Sequence, residues 1–123
     1  MPRNRIAVVI HSSLEGDGKS RNFRALGFVD ELLEAGDDVA LVYDGAGSKA
    51  LSAILATDPA SGDMFARALA KARPALRGVC EACAKAYKVY DPLLAAEVPM
   101  LGHHRRHASL RDLLEEGRQI VTF

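Results

Sequence analysis

Two cysteines lie three positions apart in Cys80-Glu81-Ala82-Cys83. A thiolate is both a nucleophile and a metal ligand. At this spacing Cys83 can close a disulfide with Cys80 or resolve a persulfide carried on it. If the pair opens a helix, the free amides there would favour negative charge on Cys80, while Glu81 would oppose it. The same residues can also be small packed hydrophobes, as free cysteines often are. A second cluster, Gly102-His103-His104-Arg105-Arg106-His107, holds three of the chain's four histidines and two arginines. Near Cys80, His103, His104 or His107 would supply a cation that stabilises a thiolate, and the positive charge could hold a bound anion or persulfide. Cys80, Cys83, His103 and His107 are also the ligand types of a zinc site. The stretch between the two pairs is longer than in a zinc finger, and no metal is assigned on spacing alone. A solvated basic loop would do none of this chemistry.

A third segment, Gly16-Asp17-Gly18-Lys19-Ser20, ends like a P-loop. The position of that loop's first glycine is taken by Ser13, and Glu15 and Asp17 bring negative charge where phosphate would sit. Nucleotide hydrolysis is therefore not expected. An anion site at the following helix N-terminus stays open, as does a plain polar loop with Ser20 capping the helix. His11, Ser12, Gly18, Lys19 and Ser20 after one strand, with Asp44 and Gly45 after the next, form the expected ligand-binding rim.

The elements that must position these residues follow from hydrophobic pattern. Arg5 to His11 and Asp38 to Tyr43 read as strands buried on both faces. Between them Phe23, Leu26, Val29, Leu32 and Leu33 recur at helical spacing over Arg21 to Ala35, with Gly36 as the stop. Strand, helix, strand makes a βαβ unit. A short helix is expected over Ser48 to Leu55, and Asp63 should cap another that Pro74 ends near Arg73. Leu76 to Cys80 reads as a third strand and Glu81 to Tyr87 as an alanine-rich helix. Asp91-Pro92 starts a turn or short helix, and Val98 to Leu101 is a candidate fourth strand despite Pro99. Ser109-Leu110-Arg111-Asp112 resembles an acidic capping box opening a helix that Gly117 stops, and Gln119 to Phe123 is a last strand. The expected fold is a single α/β domain over residues 1–123, a three-layer α/β/α arrangement on a mostly parallel five-stranded sheet. In such sheets ligands bind at the carboxyl ends of the strands, where all three segments should gather.

The chain has 123 residues, enough to bury a core without disulfides or metal. Lys plus Arg and Asp plus Glu balance at 16 each, which gives no electrostatic footprint for nucleic acid or an anionic membrane. The apolar run from Ile6 to Ile10 is too short for a signal-peptide core or a transmembrane helix. A cytoplasmic, reducing setting is expected, with both cysteines free. Nothing in the pattern calls for an organic cofactor.

Gly78-Val79-Cys80-Glu81-Ala82-Cys83-Ala84, then Val89-Tyr90-Asp91, resembles the cysteine segment of the DsrE-like family. Ser109 to Leu114 followed by Gln119 to Phe123 resembles that family's closing serine-capped helix and strand. The opening strand, loop and helix, followed by Gly36-Asp37-Asp38-Val39 and Asp44-Gly45, also fits. The resemblance implies a five-stranded parallel α/β fold, a homo-oligomer such as a trimer or hexamer, and, in the sulfur-relay members, a cysteine that carries a persulfide. Cys80 matches that cysteine, and Cys83 matches a second one found in some relatives. Lys88 stands where relay subunits often have glycine, and the histidine loop is not a relay feature. The resulting expectation is a protein that handles sulfane sulfur on Cys80, with a sulfur donor or acceptor protein as partner. The alternatives are a non-catalytic oligomeric binding module of the same fold, or a zinc-binding protein.

Overall fold

The structure, a computed structural model, describes residues 3–123. Five parallel strands form one sheet in the order β4-β3-β2-β1-β5: β1 is Arg5–Ile10, β2 Asp38–Tyr43, β3 Leu76–Cys80, β4 Met100–Leu101 and β5 Gln119–Thr122. Six α-helices connect them: α1 Gly18–Glu34, α2 Gly47–Leu55, α3 Met64–Ala72, α4 Glu81–Ala86, α5 Tyr90–Ala95 and α6 Leu110–Glu115. The three-layer α/β/α arrangement is as expected.

The chain steps from β1 to β4 in one direction and then crosses back to lay β5 on the far side of β1. Right-handed crossovers put the connections of a one-way walk on one face and that of the return on the other. Burial follows this rule. Ile6, Val8, Ile10, Leu41, Tyr43 and Val79 pack with α1 to α5. Ala7, Val9, Ala40 and Val42 face the opposite way and pack with Leu113 of α6. The second layer is thin. Beside α6 a groove of about 320 Å³, lined by Val42, Arg77, Met100, Leu101 and Leu113 among others, is left along the sheet.

Most element boundaries match the pattern, and two differ for physical reasons. The first helix begins at Gly18 rather than Arg21. A Cβ on Gly18 would stand 1.9 Å from the Ser13 carbonyl oxygen, so only glycine lets the helix start this close to the loop. Ser20 is therefore inside the helix and does not cap it; Asp17 is at the cap position, where its carboxylate accepts from Arg21 rather than from a backbone amide. Phe23, expected in the core, is 39% exposed, and Asn22 and Ala25 are buried instead. Strand β4 keeps only Met100–Leu101 of the expected Val98 to Leu101, because Pro99 has no N–H for the ladder. The Pro99 carbonyl still accepts from Val79 N at 3.0 Å. Its approach requires Gly78, where a Cβ would lie 2.4 Å from that oxygen. At α6, Ser109 Oγ accepts from Asp112 N as a capping box predicts, but the Asp112 carboxylate turns to His103.

Candidate functional site

Strand register builds the site. Ile10 pairs with Tyr43, and Tyr43 pairs with Val79. One residue further along each strand are His11, Asp44 and Cys80, which therefore stand side by side at the carboxyl edge. Cys80 ends β3 and Cys83 lies within the first turn of α4. Both cysteines are free; Cys80 is wholly buried and Cys83 half-buried.

The side chains make a chain of contacts along this edge. His107 Nδ1 lies 3.5 Å from Cys80 Sγ. The Cys83 thiol donates to Asp44 Oδ1 at 3.3 Å. Asp44 Oδ1 also accepts from Gly45 N at 3.0 Å, and Asp44 Oδ2 lies 3.6 Å from His11 Nδ1. Cys80 Sγ, Cys83 Sγ and one His107 ring nitrogen all lie within 4.8 Å of one another. The two thiols are not equivalent. Burial and then the hydrogen bond with Cys80 push the Cys83 thiol up to about 12, the Gly45 amide pulls against this, and Asp44 adds to the rise. Cys83 thus holds its proton at neutral pH.

The histidine loop reaches Cys80 through a tight turn. His104 and His107 exchange backbone hydrogen bonds, His107 N to His104 O at 2.8 Å and the reverse at 3.2 Å. Between them Arg105 and Arg106 have φ of 51° and 68°. This is the mirror-image hairpin turn that normally selects Asn-Gly. Each arginine pays roughly 1 kcal/mol for left-handed backbone. The turn is pinned to the cysteine helix by Ala82 N, which donates to the Arg106 carbonyl at 2.8 Å, and by Arg106 Nη1, 3.5 Å from Glu81. One of the amides expected to face a Cys80 thiolate is therefore already bonded to the loop. Among the described residues neither sulfur has an arginine or lysine partner.

The three histidines separate. His107 meets Cys80, His103 pairs with the Asp112 carboxylate, and His104 supplies the other side of the turn. The four ligands weighed for zinc thus reduce to a group of three, without His103. In the glycine segment, Lys19 and Ser20 are exposed on the first turn of α1, and Gly18 N is bonded to the Glu15 carbonyl. Ser12 contributes its carbonyl to the buried Asn22 amide, which also bonds Ser13 O and Gly18 O and so fastens the loop to α1. Of the expected rim, Asp44 and Gly45 adjoin the Cys83 thiol, and His11 contacts Asp44.

Compared with known proteins, the chain matches no protein-family model, no curated protein and no solved structure. The site therefore rests on its own geometry. Sequence reasoning placed Asp44 on the rim but not on Cys83. The signal was available in the parallel pairing of β2 and β3, which aligns the residues that follow Tyr43 and Val79. Nothing local in Arg105-Arg106 announces a left-handed turn.

Proposed function

We propose that this chain is a sulfur-handling protein of the DsrE-like kind, with Cys80 as the thiol that carries sulfane sulfur. The observation that carries the reading is the 3.5 Å contact between Cys80 Sγ and His107 Nδ1 at the carboxyl edge of a parallel sheet, with a second thiol alongside. An imidazole at that distance accepts the thiol proton or, as imidazolium, donates to the thiolate. The Cys80 thiolate attacks the terminal sulfur of a donor persulfide, the donor's S–S bond breaks, and the donor leaves as a thiolate. An acceptor thiolate takes the same sulfur by the same exchange and returns Cys80 as a thiolate. Alternatively the Cys83 thiol attacks Cys80 Sγ, which forms a disulfide and releases hydrogen sulfide.

Cys80 is covered by its own site, so exchange requires the His104–His107 turn to lift. That turn is exposed and strained, as segments that open locally often are. The reading includes a cytoplasmic setting and a homo-oligomer. No helix among the described residues is long and apolar enough to cross a membrane. Light scattering on the purified chain tests the oligomer: a trimer or hexamer is expected, and a monomer would contradict it.

The test of function is intact mass after incubation with a small-molecule persulfide donor. Wild type gains one sulfur atom that a reductant removes, and Cys80→Ser gains none. An equal gain in Cys80→Ser would refute the role of Cys80. The complete burial of Cys80 favours a second reading, a binding module whose cysteines only pack. Thiol labelling of the native protein separates the two, because a packed Cys80 stays unlabelled until the chain unfolds.

A further inference from the structure

The cysteine pair and His107 offer two sulfurs and one imidazole nitrogen to a single point, all within 4.8 Å of one another. Zinc binds cysteine sulfur at about 2.3 Å and histidine nitrogen at about 2.0–2.1 Å in a tetrahedron. Those bond lengths place a bound sulfur and nitrogen roughly 3.6 Å apart, and two bound sulfurs roughly 3.8 Å apart. Cys80 Sγ and His107 Nδ1 are already 3.5 Å apart. The widest separation in the group needs to close by about 1 Å at most to meet these edges, a change within reach of a side-chain rotation at half-buried Cys83.

The charge at this edge points the same way. Two thiolates beside the Asp44 carboxylate would repel one another, and among the described residues no lysine or arginine pairs with either sulfur. A soft divalent cation removes that conflict, since each bound thiol gives its proton to solvent and the metal carries the balancing charge. The donor set, sulfur and imidazole without carboxylate oxygen, selects zinc over magnesium or calcium. The orphan position of the tetrahedron is left for water or a ligand, as in metal sites with three protein ligands. In the metal-free state Asp44 accepts a hydrogen bond from the Cys83 thiol, and metal binding removes that proton and with it the bond.

We propose that Cys80, Cys83 and His107 form a three-ligand site for Zn2+, with its fourth position open. Because Cys80 is one of the ligands, zinc and sulfane sulfur compete for the same atom. Bound zinc therefore switches off the sulfur chemistry proposed above, and that consequence rests on the sulfur reading. The metal site itself does not.

The probe is Co2+ added without oxygen to the reduced full-length chain. One Co2+ per chain is expected, with a thiolate-to-cobalt charge-transfer band and the intense visible bands of tetrahedral cobalt, and Zn2+ abolishes both. His107→Ala and Cys83→Ser each weaken binding by at least roughly tenfold, whereas His103→Ala leaves it unchanged. Circular dichroism confirms that each variant is folded. A spectrum without charge transfer, or binding unaltered in folded His107→Ala, would overturn the site. Persulfide loading is read separately on metal-free protein. Cobalt uptake without sulfur gain upholds the metal site and removes the sulfur reading, and sulfur gain without cobalt uptake does the reverse. Where both occur, one equivalent of Zn2+ should suppress loading; undiminished loading at full zinc occupancy would overturn the competition.

Discussion

Cys80 and Cys83 differ in their surroundings rather than their type. Cys83 is a hydrogen-bond donor to Asp44 and keeps its proton, whereas Cys80 faces an imidazole. The His107 contact is one hydrogen bond to a group that becomes charged, worth about 1.5 kcal/mol, or roughly tenfold in rate. His107→Ala should therefore slow alkylation of Cys80 in native protein at pH 7 by roughly tenfold, followed by mass spectrometry over time. His103→Ala should leave the rate as it is, because His103 is held by Asp112. The sequence brought three histidines forward as equivalent partners. Only the path of the loop distinguishes them, and that path depends on its docking against α4, 25 residues back along the chain, and on the contact with Asp112 of α6.

At the scale of elements, the histidine turn trades local stability for position. Arg105 and Arg106 occupy left-handed backbone and are held there by the docking of the Arg106 carbonyl on Ala82 N. Replacing Arg105-Arg106 with Asn-Gly should stabilise the protein by about 1 kcal/mol or more, measured by urea denaturation. The exposed Arg106–Glu81 pair contributes little to offset this gain. No change, or a loss, would show that the arginine side chains matter more than the backbone they impose on. The strands β1 and β2 were legible because they are runs of β-branched and apolar residues, and α3 because Asp63 caps it through Ala66 N. The start of α1 was not legible. It is set by a close approach to Ser13 and by Asn22 reaching back into the loop, which are tertiary contacts without a local pattern.

Across the whole molecule, the edge opposite the thiols is held by an ion network. Arg118 is nearly buried, bonds Asp38 and the Ile6 and Asp38 carbonyls, and shares Glu116 with Arg77. It therefore ties the starts of β1, β2, β3 and β5 together. Arg118→Met removes one partner and should cost about 3 kcal/mol without altering the thiol edge. Hydrogen bonds from Arg77 and then Arg118 lower the Glu116 carboxyl from 4.5 to about 2. A carboxyl lowered in the folded state contributes stability that is complete above pH 4.5 and is lost as pH falls towards 2. Glu116→Gln should therefore be less stable at pH 7 and lose stability less steeply over that acid range, followed by denaturant melts at several pH values. Equal slopes would contradict the network. The overall α/β arrangement and the gathering of loops at one edge could be read from the alternation of strands and helices along the chain. A buried arginine could not, since Arg118 sits in a polar stretch and its partners on β2 and β1 lie 80 and 112 residues away.

The central claim is that Cys80, not Cys83, is the sulfur that reacts. Fragment-ion mass spectrometry of the Cys80–Cys83 peptide, after the native metal-free protein has met a persulfide donor and been alkylated, locates the added sulfur directly. It should be found on Cys80. Added sulfur found on Cys83 alone, or neither added sulfur nor a Cys80–Cys83 disulfide, would contradict the claim.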